Sequence, residues 1–274
     1  MAADRLLTAD DFSVTRDNLR HGIEAGELIL YYPPKVVVAA NGDMGVDSLE
    51  ALVRWRHNEE GLVPPDQFIP LAEREGLMGP LTDAVLGMAM SQVKEWREIG
   101  ITTKLAVNVP PHLLSDIEFV RRFSDRAEQF EVDASSFIIE VTERTLIEDA
   151  VSAMETLTRL RNLGTGLSID DFGTGHSSLI QLHQMPFNEI KIDKSFIDDM
   201  AKSDDARTIV RAIIDLAHGL DMSVCAEGVE TSETLETLME MQCDTIQGYY
   251  FDPPLDQQRV TKLLRDGPTY SSRQ

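Results

Sequence analysis

Seven oxygen-bearing side chains fall within or just past short apolar runs of the chain: Glu50, Asn108, Glu140, Asp170, Asp171, Glu227 and Glu230. A carboxylate in an apolar run is costly to bury unless it is paired or holds a metal. If one mouth collects these groups, carboxylates about 4 Å apart repel by roughly 4 kcal/mol per pair at an effective dielectric near 20. They then cannot all stay ionised without cations. An all-oxygen donor set selects hard divalent ions, Mg²⁺ or Mn²⁺, over zinc. The adjacent pair Asp170–Asp171 lets one carboxylate bridge two ions while the other holds one. Two ions roughly 3.5–4 Å apart clamp the attacking and leaving oxygens of phosphoryl chemistry. Lys191 is the one cation expected among these acids, either to orient or deprotonate a water or to balance charge.

Such residues need a frame that brings strand ends together. Strand-like runs cover Leu28–Ala39, Ser48–Trp55, Lys104–Val109, Phe137–Val141, Gly166–Ile169, Glu189–Ile192, Ser223–Cys225 and Thr245–Phe251. Helical patterns lie between them. Leu81, Val85, Met88, Val93 and Trp96 share one face of Leu81–Ile99, and Val151, Met154, Leu157, Leu160 and Leu163 share one face of Ala150–Leu163. Thr208–Leu220 follows a capping Asp204–Asp205 pair, and Glu233–Met241 and Gln257–Leu264 complete the series. Strand and helix alternate about eight times, which predicts an α/β fold of the parallel barrel type. Its C-terminal rim carries the active site in such folds. A plainer explanation makes post-strand carboxylates N-caps of the next helix. That suits Asp205, but not Glu50 or Glu140, which interrupt apolar runs.

The length of 274 residues suits one barrel, which runs to about 250 residues. The chain carries 47 acidic and 25 basic residues, a formal charge of −22, which excludes the cationic footprint of a nucleic-acid polymer binder or a membrane-surface helix. The most apolar stretch is broken by Pro33, Pro34 and Lys35, so nothing spans a bilayer, and the first residues carry no secretory signal. Cys225 and Cys243 read as reduced thiols of a cytoplasmic protein. The expected organisation is a lead-in over 1–20, a barrel over 21–266 and a tail over 267–274, with the ends to about Phe12 and after Pro268 loosely held.

A series of motifs then resembles the EAL domain family, the cyclic di-GMP phosphodiesterases of bacterial signalling. Glu50-Ala51-Leu52-Val53-Arg54-Trp55 is similar to the signature that names it. In order follow Pro65-Asp66-Gln67-Phe68-Ile69-Pro70-Leu71-Ala72-Glu73, Asn108-Val109, Glu140-Val141-Thr142-Glu143, Asp170-Asp171-Phe172-Gly173-Thr174-Gly175, Lys191-Ile192-Asp193, Ala226-Glu227-Gly228-Val229-Glu230 and Gln247-Gly248-Tyr249. The resemblance runs from about Tyr31 to Leu255. It implies a modified TIM-type (β/α)8 barrel whose first strand is antiparallel, with Asn41-Gly42-Asp43 as a hairpin turn after it. It implies hydrolysis of cyclic di-GMP to linear pGpG with two Mg²⁺ or Mn²⁺ ions, inhibited by Ca²⁺. Glu50, Asn108, Glu140 and Asp170 would hold one ion, and Asp170, Asp171 and Glu227 the other. Lys191 would contact the nucleophilic water, with Glu50 and Glu227 completing the catalytic set. Leu52, Arg54 and Gln247 would line the substrate site, Glu230 would support it, and Glu143 would anchor the loop after Asp171. A homodimer is implied, with room for a sensory or receiver domain outside this chain.

The chain departs from the family pattern at Pro33, where a substrate-side Gln is usual, at Pro110 and at His176. None of these removes a metal ligand. Two other function classes remain beside the hydrolase: a catalytically silent cyclic di-GMP receptor, and a metal-dependent barrel enzyme acting on a carbonyl substrate. Asp171-Phe172-Gly173 matches the kinase metal-binding triplet, but its partner motifs are missing. Gly164-Thr165-Gly166 lacks the third glycine of a dinucleotide loop and reads as a helix stop.

Overall fold

The computed structural model describes residues 14–38, 43–143, 150–175, 179–267 and 270. Its strands are β1 (Leu28–Tyr31), β2 (Pro34–Val38), β3 (Met44–His57), β4 (Gly61–Val63), β5 (Lys104–Asn108), β6 (Phe137–Thr142), β7 (Gly166–Phe172), β8 (Glu189–Ile192), β9 (Ser223–Ala226) and β10 (Thr245–Ile246). Eight of them close a ring in the order β3-β2-β10-β9-β8-β7-β6-β5, and β5 pairs back onto β3. Only β2 runs against both its neighbours, β3 and β10; the other pairs in the ring are parallel. This is the barrel with a reversed first strand that the resemblance implied.

Prolines explain the one strand divided against expectation. The run 28–39 breaks at Tyr32-Pro33, because proline lacks the N–H a ladder needs. Tyr32 bridges to Leu255 instead, its N–H donating to Leu255 O at 2.7 Å. β2 then pairs with the first half of the long β3, where Pro34 faces Leu49, while β1 pairs with the second half, where Tyr31 faces Leu52. β3 therefore reaches past the barrel and carries β1 and β4 on its extension. The last run, 245–251, keeps ladder pairing only over β10. The turn at Asn41-Gly42 lies outside the described residues.

Among the described residues the helices are α1 (Arg16–Glu24), α2 (Pro65–Arg74), α3 (Met78–Glu98), α4 (Pro111–Leu114), α5 (Glu118–Phe130), α6 (Ala150–Asn162), α7 (Leu179–Gln184), α8 (Lys194–Met200), α9 (Asp204–Gly219), α10 (Ser232–Glu240) and α11 (Gln257–Asp266). Ser203, rather than Asp204–Asp205, caps α9: its side chain accepts from Ala206 N, and the two acids sit in the first turn. Val151 and Leu163 do not join the buried face of α6; Leu157 and Leu160 do. Gly164, at φ +97°, ends that helix as a stop. None of the described helices is long and apolar enough to cross a membrane.

Leu49, Leu105, Val107, Ile139, Val141, Leu167, Ile169, Ile190 and Val224 belong to the main core with the helix faces. Strand side chains alternate, so the residues between these turn the other way, into the barrel. They are unusually polar: Ser48, Glu50, Asn108, Glu140, Ser168, Asp170, Glu189 and Lys191. A second core gathers Leu19, Leu28, Trp55, Val63, Phe68, Ala72, Leu77 and Leu81 beneath α1 and α2. Leu19 is fully buried there, so α1 carries the folded unit back across position 20.

Candidate active site

Successive parallel strands bring polar side chains to the same mouth. β3 supplies Glu50, β5 Asn108, β6 Glu140, β7 Asp170 and Asp171, and β8 Lys191; Glu227 follows β9 directly. Lys191 is 1% exposed and stands at the centre. Its Nζ lies 2.6 Å from Glu227 Oε1, 3.1 Å from Asp170 Oδ1, 3.2 Å from Glu140 Oε2 and 3.6 Å from Glu50 Oε2. Asn108 Nδ2 donates to Glu50 Oε1 at 2.9 Å, and Gln247 Nε2 donates to Glu50 Oε2 at 2.8 Å. Six of the seven oxygen donors singled out in the sequence converge. Glu230 stands apart, paired with Lys194 on α8.

Two triads of carboxylate oxygens lie within 4.8 Å of one another: Glu50, Glu140 and Asp170 in one, Asp170, Asp171 and Glu227 in the other. Asp170 belongs to both. Asp171 follows it at φ +54°, a left-handed conformation that asparagine and aspartate tolerate better than most residues. Its own N–H donates to Asp170 Oδ1 at 2.9 Å.

The electrostatics follow from burial. Burial pushes the Glu227 carboxyl up to about 8, and the charges of Asp170 and Glu50 add to this against the pull of Lys191. Burial likewise raises Glu50, Asp170 and Asp171, each beside further carboxylates. Burial acts against Glu140 too, but Lys191 and Lys35 flank it and hold it at about 2. Burial alone would lower Lys191, yet the surrounding carboxylates raise it well above the ordinary range, so it stays charged.

Lys35 is the residue that sequence reasoning passed over. Noted there only as a break in an apolar stretch, it is fully buried and reaches Glu140 Oε1 at 2.8 Å and Glu189 Oε1 at 2.7 Å. Ser168 Oγ donates to the same Glu189 oxygen at 2.8 Å. Lys191 is therefore not the sole cation of the interior. The signal was present: a lysine beside a valine run and a glutamate opening a buried strand are two charges that need partners.

The loop after β7 is held from β6. Glu143 Oε2 accepts from Gly173 N at 2.9 Å and from Gly175 N at 3.0 Å, and Glu143 N donates to Asp170 O at 3.0 Å. Thr174 Oγ1 does not reach Glu143 but donates to Asp171 O at 2.8 Å. Arg54 lies on the β3 extension with its guanidinium 5.9 Å from the Tyr31 ring centre and Nη1 donating to Val53 O at 2.9 Å. Leu52 and Arg54 share the face of β3 that carries Glu50, and both are partly buried. Gln247 Oε1 is buried with no protein partner, an acceptor left over at the mouth. Of the three departures, Pro33 accepts Glu50 N through its carbonyl at 3.1 Å, Pro110 precedes the short α4, and His176 lies outside the described residues.

A sequence model described as the EAL domain matches residues 16–254. The chain is 39% identical over 236 residues to the cyclic di-GMP phosphodiesterase PA2567 of Pseudomonas aeruginosa, covering 86% of this chain and 40% of that protein. It is 40% identical over 250 residues to the cyclic di-GMP phosphodiesterase NbdA of the same species, covering 91% of this chain and 32% of the other. It thus spans less than half the length of either relative. A solved structure titled as the PaMucR phosphodiesterase in complex with c-di-GMP superposes with a TM-score of 0.83 at 37% identity, covering 89% of this chain and 98% of that one.

Proposed function

This chain belongs to the EAL domain family, and on that footing we propose that it hydrolyses cyclic di-GMP to linear pGpG at the C-terminal mouth of its barrel, by a two-metal mechanism. The observation that carries the proposal is the pair of carboxylate triads sharing Asp170. Charge supports it. The interior sets six carboxylates (Glu50, Glu140, Asp170, Asp171, Glu189 and Glu227) against two ammonium groups, Lys35 and Lys191. Two divalent cations would cancel that excess, and the all-oxygen donor set suits Mg²⁺ or Mn²⁺.

Glu50, Asn108, Glu140 and Asp170 would hold one ion, and Asp170, Asp171 and Glu227 the other. The ions would supply a water nucleophile of lowered pKa and neutralise charge gathering on the phosphoryl oxygens. The chain's own groups do the rest. Lys191, kept charged by its carboxylate neighbours, orients the water and balances charge. Glu50 and Glu227 flank it and fix its ammonium. Arg54 offers a guanidinium to a substrate phosphate above the mouth, where an acidic protein otherwise repels an anion. Leu52 presents apolar surface beside it, Gln247 keeps a free acceptor, and Glu230 supports the rim through Lys194.

The same reading takes the active form as a homodimer in the cytoplasm. Exposed apolar side chains at Val151, Leu179 and Ile180 suit a second copy. The test is incubation of the purified protein with cyclic di-GMP and Mg²⁺ or Mn²⁺, followed by chromatography. Accumulation of pGpG is expected. Intact nucleotide recovered after long incubation, still tightly bound, would make the protein a receptor instead.

A further inference from the structure

Beneath the two triads lies a polar layer that meets the mechanism just described through Glu140. Lys35 comes from the reversed strand β2, Glu140 from β6, Ser168 from β7 and Glu189 from β8, so the layer spans the barrel interior. It divides the Glu140 carboxylate. Oε1 accepts from Lys35 at 2.8 Å, while Oε2 faces the mouth, 3.2 Å from Lys191 Nζ and 3.5 Å from Asn108 Nδ2. Glu140 is fully buried, so no water competes for Oε1.

We propose that Lys35 is a positioning residue that restricts Glu140 to one-oxygen ligation and so biases the site toward Mg²⁺ or Mn²⁺ over Ca²⁺, a proposal that rests on the two-metal reading. Mg²⁺ takes one oxygen from each ligand in a tight octahedron, whereas Ca²⁺ takes six to eight oxygens and accepts bidentate carboxylates. A carboxylate whose second oxygen is bound to a buried ammonium cannot wrap around the larger ion. Lys35 keeps that hold because Glu189 balances its remaining charge and Ser168 steadies Glu189. A lysine present only to pair charge in the core would affect every divalent ion alike. One that controls denticity changes the ratio between ions.

The experiment is calorimetric titration of metal-stripped protein with Mg²⁺ alone and with Ca²⁺ alone, without nucleotide. The variant Lys35→Met/Glu189→Met removes one charge of each sign and leaves no donor to Oε1. Replacing a buried ion pair by apolar side chains of similar volume is often tolerated. Changing an outer partner of a metal ligand shifts affinity by roughly 10–100-fold. The Ca²⁺-to-Mg²⁺ affinity ratio should therefore rise roughly tenfold, the low end of that range. Glu189→Gln, which keeps Lys35 on Oε1, should hold the wild-type ratio. An unchanged ratio in the double variant, with both ions still binding, overturns the proposal, as does a shifted ratio in Glu189→Gln. If the double variant does not fold, Lys35→Met alone is read in the same way. If neither folds, the layer is a folding element and the proposal falls. Wild-type protein that binds neither ion would refute the two-metal reading itself, a distinct result.

Discussion

Replacing Glu143 by alanine removes no ligand from either triad, yet it should abolish most activity. Glu143 is 4% exposed and its Oε2 alone holds Gly173 N and Gly175 N, at 2.9 and 3.0 Å. Hydrogen bonds to a charged acceptor contribute roughly 1.5–3 kcal/mol each, so about 3–6 kcal/mol rests on this one oxygen. Fixing a backbone residue costs about 1–2 kcal/mol, so ordering the four residues Phe172–Gly175 costs roughly 4–8 kcal/mol. The two figures are comparable, and the segment carries left-handed backbone at Gly173, φ +99°, and at Asp171 before it, φ +54°. Loss of the anchor releases the segment that begins at Asp170, the residue both triads share. A misplacement of about 1 Å there costs on the order of a hundredfold in rate. Glu143→Gln keeps an oxygen able to accept both N–H groups without the charge, and should fall between alanine and wild type. Turnover of cyclic di-GMP and the Mn²⁺ concentration for half-maximal rate are measured for both variants, with circular dichroism to confirm folding. A folded Glu143→Ala protein with wild-type kcat and wild-type Mn²⁺ dependence would refute the reasoning.

Lys191→Ala should cut kcat strongly and leave much of the substrate affinity, whereas Arg54→Ala should raise KM with a smaller effect on kcat; steady-state kinetics showing the reverse would mean the roles are exchanged. The same Lys191→Ala variant leaves buried carboxylates without their shared ammonium, an imbalance of the kind that costs roughly 3–5 kcal/mol. Its melting temperature in EDTA should fall below wild type, and Mn²⁺ should restore part of the loss. For the wild type, metal at about a hundred times its dissociation constant should add roughly 2.7 kcal/mol of stability; a melting temperature indifferent to Mg²⁺ and Mn²⁺ would mean the triads bind neither. Ca²⁺ should bind yet suppress hydrolysis, and equal rates in Ca²⁺ and Mg²⁺ would contradict the two-metal chemistry. Gly248→Ala would place a Cβ 2.1 Å from Val229 O and 2.3 Å from Val229 N, backbone atoms that cannot step aside. It should destabilise the fold by at least about 1–3 kcal/mol in denaturant titration, and a wild-type midpoint would show that the 247–249 turn yields more easily than its packing suggests.

The mouth was legible because its residues announce themselves one strand at a time. Glu50 and Glu140 each interrupt an apolar run, and Asp170, Asp171 and Glu227 each end one. Strand periodicity then fixes which way each side chain turns once the ring closes. The fold was legible for the same reason, since strand and helix patterns alternate with few interruptions. What the local pattern misjudged lay at element ends. Ser203 wins the cap of α9 because its side chain reaches Ala206 N, while Asp204 and Asp205 already belong to the first turn. Val151 fits the helical period of α6 but is 83% exposed, because periodicity assigns a face without saying how far along the helix the core extends.

Lys35 was harder for a physical reason: its partners are 105 and 154 residues away, on strands that meet only when the barrel closes. No window of sequence contains both ends of that contact. Yet charge accounting across windows reaches it. Lys35 adjoins three valines that predict a buried strand, and Glu189 opens another buried strand, where Lys191 two residues on is already taken up by the carboxylates of the mouth. Each charge alone would be prohibitive inside a barrel, and each removes the other's cost. Two unexplained charges of opposite sign on strands of one ring are thus themselves an expectation of contact. The contact has a further consequence. The reversed strand delivers to the barrel interior a cation that none of the seven parallel-running strands of the ring supplies except β8, through Lys191. Glu140 sits between these two lysines, one on each carboxylate oxygen. The carboxylate of the mouth that is held at about 2 is thereby also bound through both of its oxygens.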